Sequence, residues 1–429
     1  ILHFLMQLFF STMEEIQMRS RLKLQIAATL TATALATSAF AGGKLVISAN
    51  TSDEAPRAAF EAVVAGFKAA NPDVDVQFNV IEHEAYKTAI RNFLVADEGP
   101  DVGFWFAGNR MAGFVEDGLF EDVSDVWSND GLNSTMASTM PSITFDGKQY
   151  GLPYSYYQWG IYYRSDVFEK NGVAVPDTFD QLLSACQTLR GAGVAPVTIG
   201  TKYLWTAAGW FDYLNMRTNG LKFHIDLMLG KAAYNDKRVV ATMANWRRAL
   251  DAGCFIENHQ NYSWQEAQPP LINGKAAMYL MGNFLVPNLP EETVANLSFF
   301  QFPDITSGME RGEDAPTDLV FIPSNAQNKG NAKKFLSFLA TPENMTAINV
   351  ALQQLPPHSG AKPKDDRFLN AGAAMLAASK TAQFYDRDTT PEMAKVGMQG
   401  FQDFMLNPDE VMEILDELEE ERARIFGKL

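Results

Sequence analysis

After residue 43, the apolar positions of the chain alternate between two periods. Residues 44–49 (KLVISA) and 102–104 are short apolar runs, and residues 74–80 place an apolar side chain at every second position, so each segment predicts a strand. Residues 53–70 and 84–96 repeat apolar side chains three and four positions apart, which predicts helices. The order strand, helix, strand, helix, strand is typical of an α/β layer with a mostly parallel sheet.

A second α/β run follows in the middle of the chain, after Pro153 interrupts an apolar stretch, as is expected where a chain crosses between domains. Its predicted elements are strands at 159–163, 197–200 and 276–281, helices at 180–190 and 236–252, and then the helices 331–339, 342–352 and 409–426. In such sheets a ligand lies beyond the carboxyl ends of the strands. The segments that follow residues 49, 104 and 281 are therefore candidate ligand contacts.

The segment 202–220 (KYLWTAAGWFDYLNMRTNG) interleaves aromatic rings with amide and charged groups. An indole can stack on the C–H face of a sugar while neighbouring side chains bond its hydroxyls, so this mixture indicates a carbohydrate ligand. Trp205 and Trp264 are the preferred stacking platforms, because each is flanked by polar residues. Trp210 and its neighbours also have the spacing of a core-facing helix, so Trp210 is either a ligand contact or a core residue.

The 429 residues are enough for two domains with separate cores, and the formal net charge of −16 argues against nucleic acid as a partner. Residues 19–41 combine three basic residues, an apolar stretch and a small-x-small site, which predicts an export signal cleaved after Ala41. Residues 1–41 are thus assigned to upstream sequence and signal peptide. The residue directly after that site is Gly42 and not a cysteine, and no later apolar run reaches the roughly 20 residues of a membrane helix. The mature protein is predicted to be soluble in the periplasm, without a lipid anchor.

Cys186 and Cys254 are the only cysteines of the chain. An oxidising compartment permits a disulfide between them, but the apolar helical context of both suits two buried thiols equally well. The sequence leaves both possibilities open.

Groups suited to catalysis are few. The five histidines are scattered without HExxH spacing, and neither a phosphate loop nor a G-x-S-x-G elbow is present, so no catalytic residue, metal site or cofactor is predicted. A carbohydrate-active enzyme stays open as an alternative, with Asp314 and Asp318, or Asp386 and Asp388, as its carboxylate pair. Adjacent tyrosines at 156–157 and 162–163 likewise leave a ferric-ion site open.

Several motifs, taken in chain order, resemble a known family. They are KLVISANTSDE, GPDVGFWFAGNRM, GKQYGLPYSYYQWGIYYRSDVFEKNG, the tryptophan segment, SWQEA, GKAAMYLMGN and NAKKFLSFLATPENM. Together they resemble the extracellular solute-binding proteins of carbohydrate ABC transporters, the branch that includes maltose-binding protein, over nearly all of the mature chain.

The resemblance implies a two-lobed periplasmic-binding-protein fold, in which each lobe is a mixed, mostly parallel sheet flanked by helices and three segments cross at the hinge. Lobe 1 would hold residues 44–152 plus 314–355, and lobe 2 residues 153–313 plus 356–429. Such a protein performs no chemistry. It closes on a sugar and delivers it to the permease subunits of an ABC transporter in the membrane, as a monomer. A binding protein for a polyamine or ferric ion is the alternative.

The ligand contacts predicted from these motifs lie at strand ends and at turns that face the cleft. They are Asn50, Asp53, Asn109, Arg110, Trp159, Lys202, Trp205, Trp210, Trp264, Gln265, Gly282, Asn283, Phe284, Thr317, Asp318 and Arg387. Amides such as Asn109, Gln265 and Asn283 can each donate and accept, which suits hydroxyl groups.

Arg387 has two readings. Its guanidinium either binds the ligand, including an acidic group on it, or pairs with the adjoining Asp386 or Asp388. An acidic sugar would need at least one uncompensated cation in the cleft, and Lys202 and Arg387 are the candidates.

Overall fold

The structure is a computed structural model that describes residues 42–429. The predicted export signal and its cleavage site after Ala41 lie outside the described residues. Within residues 42–429, two β-sheets each have their own hydrophobic core, and we call the two bodies the first and the second lobe. The predicted two-lobed α/β fold is confirmed.

The strands are named in chain order. They are β1 (Lys44–Ala49), β2 (Asp75–Val80), β3 (Val102–Phe106), β4 (Thr144–Phe145), β5 (Lys148–Gln149), β6 (Leu152–Tyr156), β7 (Trp159–Arg164), β8 (Ala195–Val197), β9 (Ala276–Gly282), β10 (Leu297–Phe300), β11 (Gly312–Asp314), β12 (Thr317–Phe321) and β13 (Lys380–Ala382).

The two larger sheets share one design. The first lobe has the order β2-β1-β3-β12-β6 and the second β10-β7-β9-β8. In the first sheet β12 is antiparallel to both of its neighbours, and in the second sheet β7 is. Each reversed strand follows the point at which the chain changes lobe, so it enters its sheet from the opposite end. The remaining strands of each sheet run the same way, and the mixed, mostly parallel sheets are as predicted.

Helices cover both sheets. Those before β6 are Glu54–Ala70, His83–Val95, Asn109–Glu116, Ser124–Asn129 and Leu132–Thr135, and those between β7 and β10 are Ser165–Lys170, Phe179–Gly191, Trp205–Asn219, Leu221–Met228, Lys237–Asp251, Gln268–Ile272 and Glu291–Ala295. After β12 come Lys329–Leu339, Pro342–Leu352, Arg367–Ala377, Tyr385–Asp388, Pro391–Leu406 and Val411–Phe426. Short 3-10 helices lie at Met140–Ile143, His259–Asn261, Asn283–Asn288 and Pro408–Glu410.

Helix Glu54–Ala70 shows how the spacing of apolar residues in the sequence leads to their packing in the core. Its apolar positions three and four apart, Phe60, Val63, Val64 and Phe67, are all buried in the core of the first lobe. The ring of Phe60 packs edge-on against Phe104 of β3, with ring centres 4.7 Å apart. The helix thereby holds one face of the sheet away from water.

The core of the first lobe draws on residues between 45 and 154 and between 319 and 352, and that of the second on residues between 157 and 302 and between 368 and 418. Cys186 and Cys254 form a disulfide that joins helix Phe179–Gly191 to the end of helix Lys237–Asp251 within the second lobe. Of the two possibilities that the sequence left open, the disulfide is the one formed. None of the helices in residues 42–429 has the length and apolar content to cross a membrane.

Candidate functional site

A cavity of about 150 Å³ lies between the two lobes. Its wall includes the turn after β1 and the end of β3 from the first lobe, and the start of β7, the turn after β9 and helix Tyr385–Asp388 from the second lobe. These segments follow or precede strands of the two sheets, which is why their side chains meet in one place. The predicted contacts that line the cavity are Asn50, Asp53, Arg110, Trp159, Trp205, Trp264, Phe284, Asp318 and Arg387.

The second lobe supplies an aromatic wall. Trp159 at the start of β7 lies edge to face with Trp205, with ring centres 6.0 Å apart. Phe284 contacts Trp264 at 5.2 Å and Trp159 at 6.1 Å, both in edge-to-face geometry. Phe384 packs on the other side of Trp159 at 4.7 Å. The rings hold one another in fixed orientations, so the wall is preformed for a flat apolar face.

The absence of a side chain at Gly282 allows the rings of this wall to pack closely. A Cβ placed on Gly282 would lie 2.5 Å from the ring of Phe284 and 3.0 Å from Nε1 of Trp159. The glycine that was predicted as a ligand contact is thus needed for the approach of two rings, and no contact of its own with the cavity is present.

Opposite the aromatic wall, Arg387 connects the two lobes. Its Nη1 donates to Oδ1 of Asp318 at 3.0 Å and to the carbonyl oxygen of Thr317 at 3.1 Å, and its Nη2 donates to the hydroxyl of Tyr157 at 3.0 Å. The guanidinium also lies 4.4 Å from the ring centre of Phe106. Burial raises the pKa of Asp318, and the charge of Arg387 offsets part of that rise. The predicted pairing of Arg387 with an adjoining aspartate is wrong, because its carboxylate partner is Asp318 across the cleft.

Asp386 points to the first lobe as well. It forms an ion pair with Arg110, whose guanidinium lies 5.0 Å from the ring centre of Phe106. Burial raises the pKa of Asp386, but the charges of Arg110, Lys87 and Arg387 outweigh it and hold the pKa below its usual value. The carboxylate is therefore charged at neutral pH and available as a hydrogen-bond acceptor.

The first lobe also places His83 and Lys87, both on helix His83–Val95, at the cavity. Burial, followed by the charges of Lys87, Arg110 and Arg387, lowers the pKa of His83 to about 3, so its ring is neutral near pH 7. Burial and the charge of Arg110 lower the pKa of Lys87 as well. A neutral imidazole beside crowded cations can donate to or accept from a hydroxyl group.

Three buried polar atoms on this cavity have no hydrogen-bond partner among residues 42–429. They are Oγ1 of Thr51, Nε1 of Trp159 and Oε1 of Gln354. A buried polar group without a partner costs about 1–3 kcal/mol, and other such atoms, among them Nε1 of Trp210, lie in the core away from the cavity. At the rim, Nε2 of Gln265 donates to Oδ1 of Asp53 at 3.3 Å, which closes a contact between the lobes.

Other predicted contacts lie away from the cavity. Trp210 is 1% exposed and packs against Phe255 and Phe302 in the core of the second lobe, so no ligand can reach it and the core alternative is correct. Asn283 is fully buried, accepts from the hydroxyl of Tyr162 and donates to the carbonyl of Gln353, so its hydrogen bonds are used within the protein.

Three further predicted residues serve neighbouring segments. Asn109 donates through Nδ2 to the carbonyl oxygen of Asp388 at 2.7 Å, and Thr317 uses its own carbonyl oxygen for Arg387. Lys202 lies on a separate opening between the lobes, where its Nζ is 3.8 Å from a carboxylate oxygen of Glu266. Each of these positions supports the site without lining the cavity.

Several cavity residues were missed by the sequence analysis. Tyr157 and Phe384 sit next to predicted features, whereas His83 and Lys87 lie at the start of a helix whose other face is core. Asp386 was considered as part of a catalytic pair and as a partner of Arg387, but not as a ligand contact. The available signal was the polar start of helix His83–Val95, directly after β2, because the carboxyl end of β2 lies beside that of β1.

The carboxylate pairs proposed for catalysis do not converge on the cavity. Asp318 and Asp386 line it, and each is paired with an arginine, whereas Asp314, which is buried, and Asp388, which is partly buried, do not line it. In each predicted pair only one acid is therefore on the cavity. Among the described residues no group of three or more His, Cys, Asp and Glu side chains is arranged to hold a metal ion.

Comparison with known proteins adds to this geometry. The family model of the bacterial extracellular solute-binding proteins matches residues 51–346. An uncharacterized ABC transporter extracellular-binding protein of Pyrococcus horikoshii is 23% identical over 71% of this chain and 69% of its own. The multiple sugar-binding protein of Streptococcus mutans is 20% identical over 67% of this chain and 69% of its own.

Among solved structures, the bacterial solute receptor AcbH, reported with an exclusive substrate preference for β-D-galactopyranose, superposes with a TM-score of 0.85. It is 29% identical, and the match covers 90% of this chain and 100% of that one. The likeness spans both lobes and the cavity between them.

Proposed function

This chain belongs to the bacterial extracellular solute-binding proteins, and from that premise we propose that it binds a sugar between its lobes and delivers it to the permease of an ABC transporter. One observation carries the proposal. The aromatic wall of Trp159, Trp205, Trp264 and Phe284 faces a set of buried polar groups across a cavity bounded by both lobes. A sugar ring has the matching surfaces, an apolar face and a rim of hydroxyls.

The size of the cavity favours a single sugar ring. At roughly 10–15 Å³ for each water, about 150 Å³ takes about ten to fifteen waters. That is comparable with the number of non-hydrogen atoms in one hexose. The preference of AcbH for a galactopyranose agrees with a ligand of this size.

The charges on the cavity favour a neutral ring at this position. Arg387 is paired with Asp318 and Arg110 with Asp386, so neither guanidinium is free to balance an acid on the ring. The paired groups can still bond hydroxyls, since a carboxylate has several acceptor sites and a guanidinium has five donors. For Arg387 we therefore favour binding of hydroxyls over binding of an acidic group.

We also propose that the chain acts without catalysis, as a monomer in the periplasm and without a lipid anchor. The proposal draws on the extracellular family, the predicted export signal and carboxylates that are each held by an arginine. The residues proposed to contact the sugar are Asn50, Asp53, Arg110, Trp159, Trp205, Trp264, Phe284, Asp318 and Arg387. The predicted lobe boundaries, 44–152 plus 314–355 and 153–313 plus 356–429, stay a prediction.

A polyamine is disfavoured because Asp318 and Asp386, two of the carboxylates on the cavity, are each already paired with an arginine. A ferric ion is disfavoured because the hydroxyl of Tyr157, the tyrosine nearest to the centre of the polar set, already accepts from Arg387. Burial raises the pKa of Tyr157, which opposes the phenolate form that iron requires.

A thermal-shift screen followed by calorimetric titration tests the proposal. The mature protein, residues 42–429, is heated with neutral hexoses, pentoses and disaccharides, with spermidine and with ferric citrate. A ligand at 100 times its dissociation constant raises the unfolding free energy by roughly 2.7 kcal/mol. We expect a neutral monosaccharide to give the largest shift and to be recovered unchanged. A shift confined to spermidine or iron, or consumption of the sugar, would overturn the proposal.

A further inference from the structure

A second opening between the lobes lies directly beside the sugar cavity. It encloses about 390 Å³ and shares with that cavity only the side chains of Lys87, Arg110 and Asp386. We call it the vestibule; its lining comprises Glu84, Lys87, Thr88, Arg110, Lys202, Tyr203, Leu204, Asp386, Pro391, Ala394, Lys395 and Met398. Helices His83–Val95 and Asn109–Glu116 form one side, and the turn before helix Trp205–Asn219 and the start of helix Pro391–Leu406 form the other.

The vestibule is cationic in a strongly acidic protein. Its lining carries four cationic side chains, two from the first lobe and two from the second, and only two carboxylates, Glu84 and Asp386. The whole chain has a formal net charge of −16. A local excess of positive charge inside an opening with protein walls concentrates the field and attracts small anions.

The two carboxylates are already engaged by the first lobe. Glu84 pairs with Lys87 at 2.7 Å, and Asp386 pairs with Arg110. That leaves the two lysines of the second lobe. Lys202 is 3.8 Å from Glu266, at the outer limit of an ion pair, and no carboxylate of residues 42–429 lies within 4.0 Å of Nζ of Lys395. The excess charge of the vestibule therefore resides on Lys202 and Lys395.

Repulsion between cations also affects the pKa of Lys87 on the first lobe. Burial and the nearby charge of Arg110 lower the pKa of Lys87, and the attraction of Glu84 and Asp386 only partly restores it. An anion between the lobes would relieve this repulsion. It would also touch both lobes at once, so its binding would favour the form in which they are in contact.

We propose that the vestibule binds a small oxyanion (carboxylate, phosphate or sulfate) between Lys202 and Lys395 of the second lobe and Lys87 and Arg110 of the first. The inference rests on the proposed function, because the anion sits beside a neutral sugar ring in the main cavity. Two sources share this chemistry. The oxyanion is either an acidic substituent of the bound sugar or a free anion from solution that binds together with a neutral sugar.

Charge-removal variants test the vestibule. The double variant Lys202→Gln/Lys395→Gln removes the two lysines that the second lobe contributes to it. The matched control Lys231→Gln/Lys237→Gln removes two exposed lysines from the same lobe that line neither opening and that have no carboxylate of residues 42–429 within 4.0 Å. The probes are the neutral hexose that binds best in the screen above, its uronic acid, its 6-phosphate, and sodium sulfate alone with sodium chloride at equal ionic strength.

Two results support the inference and identify the source. If the anion belongs to the sugar, the uronic acid or the 6-phosphate binds about tenfold more tightly than the neutral hexose, and only Lys202→Gln/Lys395→Gln abolishes the difference. If the anion is free, sulfate raises the melting temperature and the affinity for the neutral hexose more than chloride does. Native protein and the control show this difference, and Lys202→Gln/Lys395→Gln does not.

The inference is overturned if neither acidic sugars nor sulfate distinguish Lys202→Gln/Lys395→Gln from native protein and from the control. In that case normal binding of the neutral hexose leaves the proposed function standing. If no sugar binds any of the three proteins, the proposed function fails, and the response to sulfate alone still decides whether the vestibule holds an anion.

Discussion

Two tryptophans on one helix have different surroundings. Trp205, at the first position of helix Trp205–Asn219, is partly exposed on the sugar cavity, whereas Trp210 is enclosed by Phe255 and Phe302. Five positions correspond to about one and a half turns, so the two side chains leave the helix on opposite sides. One indole is free to stack on a ligand and the other stabilises the second lobe.

Replacement of each tryptophan by alanine should separate these roles. Trp205→Ala is expected to weaken binding of the sugar about tenfold, because a stacking surface is lost, with little effect on the melting temperature. Trp210→Ala should cost about 3–5 kcal/mol of unfolding free energy and leave the affinity of the folded molecules unchanged. Calorimetric titration and denaturant unfolding of both variants measure the two quantities. Equal losses of affinity in the two variants would contradict the assignment.

Three neighbouring acids, Asp212, Asp314 and Asp388, lie off the cavity lining; the first two are fully buried and Asp388 is partly buried. Both carboxylate oxygens of Asp314 lack a hydrogen-bond partner among residues 42–429. Burial, followed by the charges of Asp388 and Glu313, raises the pKa of Asp314 well above its usual value. Burial also raises the pKa of Asp388 to about 6. A carboxyl whose pKa is raised in the folded protein keeps its proton to a higher pH than it does in the unfolded chain, which releases it near pH 4.

The pH dependence of stability follows from that difference. A carboxyl whose folded pKa is raised destabilises the native state progressively as the pH rises above about 4 and through the folded pKa. Asp314→Asn preserves the shape of the side chain and removes its titratable carboxyl group. We expect the unfolding free energy of this variant to be close to that of native protein near pH 4. At pH 8 it should exceed that of native protein by about 1–3 kcal/mol.

Thermal melts from pH 4 to pH 9 check the prediction. Asp97→Asn, at an exposed carboxylate of the first lobe, is the control and should shift the melting temperature by the same small amount at every pH. If Asp314→Asn follows native protein in parallel across the range, Asp314 does not hold a proton in the fold.

At the scale of elements, the disulfide fastens one helix pair of the second lobe. Cys186 on helix Phe179–Gly191 and Cys254, just after helix Lys237–Asp251, are 68 residues apart in sequence. Closing a loop of this length removes conformational freedom from the unfolded chain worth about 4 kcal/mol. The bond is remote from the cavity lining, so it bears on stability and not on sugar contact.

Replacement of both cysteines by serine should therefore lower the unfolding free energy by about 2–4 kcal/mol and leave the affinity for the sugar unchanged. The measurement is denaturant unfolding with and without dithiothreitol. Native protein should lose stability on reduction and the double variant should not. Identical curves for native protein under both conditions would show that the pair is not bonded in solution.

The local sequence pattern was sufficient to predict most helices and strands, but it did not predict where some of them end. β1 and helix Pro342–Leu352 have the predicted bounds, because an apolar run and a Thr341 cap with Pro at the first position mark them locally. β8 was predicted to reach residue 200 but ends at Val197. At Gly200 a Cβ would clash with the carbonyl oxygen of Ser263, an approach that only the folded structure brings about.

The residues of the site were likewise predictable only in part. Strand ends share one edge of a sheet, so Asn50, Trp159 and Phe284 were predictable from the strands alone. Trp210 was not, since helix Trp205–Asn219 is buried on nearly all sides and its pattern marks no single exposed face. The partner of Arg387 was not predictable either, because Asp318 reaches it from the other lobe.

At the scale of the whole molecule, the lobes meet through polar contacts around the cavity. Arg110 pairs with Asp386, Arg387 with Asp318, and Gln265 donates to Asp53 at 3.3 Å. These contacts are made only when the lobes approach, and opening returns the groups to water. They stabilise the closed form by an amount that a ligand can shift, which suits a receptor that must both capture and release its sugar.

Removal of one such contact should move this balance without unfolding either lobe. Arg110→Ala leaves Asp386 buried without its nearest cation when the lobes are closed, which is costly, whereas opening hydrates the carboxylate. We therefore expect a larger radius of gyration by small-angle scattering in the absence of sugar, weaker sugar binding and a nearly unchanged melting temperature.

Arg91→Ala is the matched control, because Arg91 pairs with Asp117 at 2.8 Å on the exposed surface of the first lobe and such pairs contribute about 0–1 kcal/mol. Its scattering curve should match that of native protein. If Arg110→Ala also scatters as native protein does, the ion pair is not part of the closing equilibrium, and closure then depends on the contacts of Arg387 and on the sugar itself. A saturating sugar should restore the compact form of Arg110→Ala, since the ligand touches both lobes and compensates for the lost contact.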